Sequence, residues 1–83
     1  MLPTDSDALT VLVRWEFAQA DKHLVCGIHL TRPSSYEVAT VPLWDPARSA
    51  IETFSCASAA LHRHAEIATD LREAGWTVAA YTG

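Results

Sequence analysis

Glycine, cysteine and lysine are all scarce in this chain. Its 83 residues include three glycines, two cysteines and a single lysine. Gly27, Gly75 and Gly83 lie too far apart to build a phosphate-cradling loop. Cys26 and Cys56 are too few for a secreted disulfide scaffold and read as two reduced thiols. No apolar run approaches the ~18 residues that span a bilayer. The opening Met-Leu-Pro-Thr-Asp-Ser-Asp has neither the basic nor the apolar segment of a secretory signal. The expectation is a cytoplasmic protein with no membrane partner.

Charge narrows the classes further. Ten acidic residues against six basic ones leave a net charge of −4. A general binder of nucleic acid or anionic lipid needs the opposite balance. At 49% hydrophobic and 19% charged residues, the composition is that of a folded globule rather than a disordered tail. The length allows one core. Residues 1–7 read as a flexible N-terminus and 8–83 as one α+β domain.

Hydrophobic periodicity supplies the elements. From Leu9 to Phe17, apolar residues at 9, 11, 13, 15 and 17 alternate with Thr10, Leu12, Arg14 and Glu16, which predicts a strand with one continuous apolar row. Gln19 to Lys22 reads as a hairpin connection, followed by a strand from His23 to about Leu30. Gly27 in its middle marks a bulge or a close backbone approach. Thr31 to Ser35 is a turn, Tyr36 to Val41 a third strand that Pro42 ends, and Trp44 to Ala47 a second turn. Ser49 to Phe54 forms a fourth strand.

A helix follows from about Cys56 to Ala74, with Ser55 as its N-cap. Ala57, Ala60, Leu61, His64, Ile67, Ala68 and Leu71 make its apolar stripe. Gly75 stands where a left-handed residue ends a helix, and Trp76 then covers Leu71. Thr77 to Tyr81 is a short last strand or an extended tail. The expected fold is an antiparallel four- or five-stranded meander with one long helix across one face, in the order β-β-β-β-α(-β).

Catalytic constellations are not assembled by spacing. His62 and His64 sit two apart on the helix and point to nearly opposite sides, so they do not share a metal ion. His23 and His29 are ~20 Å apart along a strand. Cys56 at the helix start is acidified by the free N–H groups there, yet no base with an orienting partner stands near it in sequence. Ser55 and Ser58 lack a nucleophile elbow. The reading is non-enzymatic, with no cofactor and no metal; a thiol-based redox or enzymatic role through Cys56 is the third alternative.

Contact residues are easier to nominate. Trp44 lies in a turn between two prolines, and tryptophan is enriched at binding hot spots. Leu12 and Val25 are apolar residues opposite the main core row, beside Arg14, and such patches mark partner surfaces. Trp44, Leu12, Arg14 and Val25 are therefore the expected contacts of a homodimeric protein-interaction or regulatory module. One helix covers only part of such a sheet, and a second copy is the simplest further cover. The alternative is a single-stranded nucleic-acid-binding domain that uses the open face, with Arg14, Arg32 and Arg48 supplying charge and Tyr36 a stacking ring.

Phe54, Ser55, the alanine-rich helix with Leu71, and Gly75-Trp76 loosely resemble the back half of the WGR domain. The shared part covers less than a third of the chain, and the naming Trp-Gly-Arg is absent. The element order is also similar to the four-strand-plus-helix repeat of Pur-alpha and whirly-type single-strand nucleic-acid binders. That likeness concerns fold, and fold alone does not set function.

Overall fold

A computed structural model describes residues 10–32 and 34–82. The expected flexible segment 1–7, the first expected strand residue Leu9, Pro33 of the expected turn and the Arg32 side chain lie outside the described residues. The elements are β1 (Thr10–Gln19), β2 (Lys22–Arg32), β3 (Ser35–Pro42), β4 (Ala50–Phe54), α1 (Ala57–Glu73) and β5 (Thr77–Thr82). One antiparallel sheet has the order β4-β3-β2-β1-β5, and α1 packs across one face of it. The last segment is thus a true fifth strand, paired with β1 of its own chain.

Local chemistry sets the connections. β1 and β2 are joined by the two residues Ala20 and Asp21, with Ala20 in the left-handed region at φ 57°. Two-residue loops of positive φ match the twist of paired strands. Pro42 is the last residue of β3 and pairs with Leu24. After it, Pro46–Arg48 makes one turn of 3-10 helix, and the Ser49 hydroxyl donates to the Pro46 carbonyl at 2.6 Å.

The C-terminal end of α1 follows the sequence expectation closely. Gly75 has φ 98°, its N–H donates to the Arg72 carbonyl, and the Trp76 N–H donates to the Leu71 carbonyl at 3.0 Å. These are the paired bonds of a Schellman end. The N-terminal end differs. Cys56, not Ser55, is the cap residue. Extended φ and ψ at Cys56 place the helix start one residue later than a Ser55 cap requires.

The core lies between α1 and the inner face of the sheet. Phe17, Leu24, Cys26, Ile28 and Val38 come from the three central strands, and Ala60 and Ala68 from the helix. Two small residues, Ala60 and Ala68, each one turn from His64, let the helix approach closely. Leu61, expected in this stripe, is 53% exposed, because the buried line runs through 60, 64 and 68. Arg63 reaches from α1 to Glu52 of β4, with Nε at 3.0 and 3.1 Å from the two carboxylate oxygens, and its Nη1 donates to Glu66.

A bulge corrects the expected first-strand row. Val11 pairs with His29 and Val13 with Ile28, so Leu12 is an extra residue without a partner. Side chains alternate strictly only in a regular strand. Val13, Trp15 and Phe17 therefore keep the helix face, whereas Val11 shares the outer face with His29 and is half exposed. Gly27 explains the tolerance for the bulge. A Cβ at that position would lie 2.7 Å from the Val13 carbonyl oxygen.

Candidate functional site

The face of the sheet away from α1 carries no second layer among the described residues. Strand pairing sets its rows, since antiparallel partners share a face. Arg14 lies in line with Gly27, Ala39 and Ile51. Glu16 lies in line with Val25, Val41 and Ala80. The result is an apolar strip of Val25, Val41 and Ile51 around the buried Ala39, flanked by Arg14 and Glu16, which approach to 3.9 Å. Glu16 also accepts from or pairs with His23 Nδ1 at 3.0 Å. Ile51, at 60% exposed, is the most open aliphatic side chain of the strip.

Of the four expected contacts, the structure brings Arg14 and Val25 together on this face, in adjacent rows. Leu12 is exposed in the bulge, toward the other end of β1. Trp44 stands apart. It lies beyond the end of β3, near the β1–β2 hairpin, and stacks on Trp76 with ring centroids 5.9 Å apart and planes 10° apart. The Lys22 ammonium sits 5.2 Å from the Trp44 ring centre. Trp44 is thus a half-exposed lid on the helix end, held by stacking and a cation.

The residues named for a nucleic-acid face are dispersed. Tyr36 pairs with Leu30 and Phe54 and packs against the core on the helix side, so it offers no ring beside Arg14 on the open face. Arg48 lies in the 3-10 turn between β3 and β4. The facing of Tyr36 follows from its place on β3, two residues before the fully buried Val38.

Among the described residues, His64 is the one buried polar residue of the core. Its Nε2–H donates to the Cys26 carbonyl at 3.3 Å, and Trp15 meets the ring edge-on at 5.3 Å. A carbonyl only accepts, so Nε2 carries the proton of that bond. Burial pushes its pKa below the ordinary 6.5, against a smaller opposing effect of that hydrogen bond. Folding stability is then unaffected by this group above pH 6.5. As pH falls below 6.5, the unfolded chain takes up a proton that the folded one resists, and stability drops until the lowered folded value is passed. Urea midpoints measured between pH 8 and 5 should fall on the acid side in the wild type and stay level in His64→Leu. Identical flat profiles would remove the effect.

Cys56 and His62 are exposed. The Cys56 thiol lies 2.9 Å from the Ser58 hydroxyl, and that bond, with backbone N–H groups of the first turn, holds its pKa below the usual thiol value. No histidine or carboxylate is hydrogen-bonded to it among the described residues. Cys26 is free and buried, and burial raises its pKa. His62 points outward toward Glu66 at 3.7 Å, whereas His64 points into the core, so the pair does not converge. Among the described residues no group of three metal-ligating side chains is gathered, and no helix is long and apolar enough to cross a membrane.

No protein-family model, curated protein or solved structure matches this chain. Three surface residues escaped the sequence reading. Val41 and Ile51 belong to the open strip, a placement that requires the register of β3 on β2 and β4. Lys22 belongs with Trp44; its position at the hairpin, opposite the end of β3, was the available signal.

Proposed function

We propose that this chain is a small cytoplasmic, non-enzymatic interaction module that works as a homodimer and regulates another protein. The observation that carries the reading is the one-sided cover of the sheet among the described residues. An apolar strip of Val25, Val41 and Ile51, rimmed by Arg14 and Glu16, has the make-up of a contact surface with a charged edge. The acidic balance of the whole chain supports a protein partner over a polyanion. The test is a pull-down from native lysate with nuclease, comparing wild type with Ile51→Glu. A stoichiometric protein retained by the wild type and lost by the variant is expected. Recovery of nucleic acid, or of proteins that nuclease removes, would contradict the reading and favour single-strand binding.

A further inference from the structure

The two edges of the sheet differ in chemistry. β4 carries Glu52, tied to Arg63 of the helix. β5 carries no charged side chain and no proline, and all six of its residues are exposed. Among the described residues its neighbour is β1 alone, so its outer backbone N–H and C=O groups face away from the sheet. Natural edges are commonly guarded by charge, proline or cover, because an unguarded edge is a template for another strand.

The sequence of β5 also reads nearly the same in both directions: Thr-Val-Ala-Ala-Tyr-Thr. Its facing does so too. Thr77 and Thr82 lie opposite Ala18 and Arg14 on the open side. Val78 and Tyr81 lie opposite Phe17 and Trp15 on the helix side. In a regular strand, positions three or five apart face opposite ways. Here the register shift between Glu16 and Phe17 leaves Ala79 as an extra residue and brings the two halves into phase.

We propose that β5 is the self-association strand: two copies pair antiparallel through Thr77–Thr82, about a two-fold axis between Ala79 and Ala80. The axis is perpendicular to the sheet, so both helices stay on the same side and two five-stranded sheets become one. Thr77 then lies opposite Thr82 of the second copy, Val78 opposite Tyr81, and Ala79 opposite Ala80. Threonine pairs and aromatic–β-branched pairs are favourable cross-strand neighbours, and the small alanines at the axis permit close approach. Each extra residue, Ala79, then lies opposite Ala80 of the other copy, so each strand contributes the same number of residues and the ladder keeps register. Tyr81, 70% exposed in the single chain, gains a neighbour. A six-residue edge is a small interface, of the size class of weak and reversible complexes.

This assignment rests on the homodimer in the reading above and specifies its geometry. The experiment is sedimentation equilibrium on wild type, Ala79→Glu, Ala79→Lys and an equimolar mixture of the two variants. Ala79 is unpaired with β1, so both changes leave the monomer's ladder intact; circular dichroism checks that. Each variant alone puts like charges at the axis and should weaken dimerisation by about tenfold or more, and the mixture should restore it. Ile51→Glu, away from β5, should dimerise like wild type. Hydrogen exchange on the wild type supplies a second readout, with β5 amides gaining protection as concentration rises. A wild-type dimer unaffected by either Ala79 change, or lost in Ile51→Glu, would overturn the β5 assignment and leave the homodimer standing. A wild-type monomer at all concentrations would overturn both, while the partner pull-down remains an independent test of the interaction module.

Discussion

Phe17→Ala should bring the protein close to its unfolding midpoint at 25 °C, with about half of it unfolded. Phe17 is 0% exposed, sits on the central part of β1 and joins Leu24, Ile28 and the helix alanines in the core. Removing a buried phenylalanine ring costs about 3–5 kcal/mol, because the surrounding atoms collapse only partly into the space. A core of this size supplies a net stability of only about 3–5 kcal/mol. The loss and the reserve are equal within their spread. Leu61→Ala is the matched control. Its side chain is about half in water, so its unfolding free energy should stay within about 0.5 kcal/mol of wild type. Denaturation followed by far-ultraviolet circular dichroism reads both. A stable Phe17→Ala protein would mean that the core lies elsewhere.

Gly27→Ala should also be severe for so small a change. The new methyl group would lie 2.7 Å from the Val13 carbonyl oxygen, and the obstacle is backbone, not the end of a flexible side chain. Either the β1–β2 ladder shifts at the bulge or the strand separates locally. Overpacking of this kind costs about 1–3 kcal/mol. Hydrogen exchange would add a local signature, since amides from Val11 to Arg14 should lose protection first. Wild-type stability in this variant would mean that the bulge is not held by the close approach at Gly27.

The bulge also shows where sequence reasoning stopped. Elements with local signals were legible: the two-residue hairpin after Gln19, the strand end at Pro42, and the Gly75-Trp76 helix end each depend on a few neighbouring residues. The bulge has its visible signal, Gly27, on the other strand, so the apolar alternation through Val11 read as one row when it is two. Leu61 fits the helical period but lies beyond the flank of a narrow, alanine-lined contact. Trp44 looked unoccupied because its partner Trp76 comes from the far end of the helix. The open strip was half legible: Arg14 and Val25 follow from hairpin pairing, while Ile51 needs the register of the whole sheet. Tyr36 was misassigned because the facing of β3 is fixed by Val38 and Phe54, not by its own alternation.

The proposed self-association through β5 makes no ionic contact, and sedimentation equilibrium of the full chain at several salt concentrations reads that property. Each copy carries a net charge of −4, and β5 carries none of it. Between about 50 and 500 mM NaCl, screening weakens the mutual repulsion of two acidic bodies. The account predicts a monomer–dimer equilibrium that holds or tightens as salt rises. A chain that remains monomeric throughout, or a dimer that salt dissolves, would contradict it.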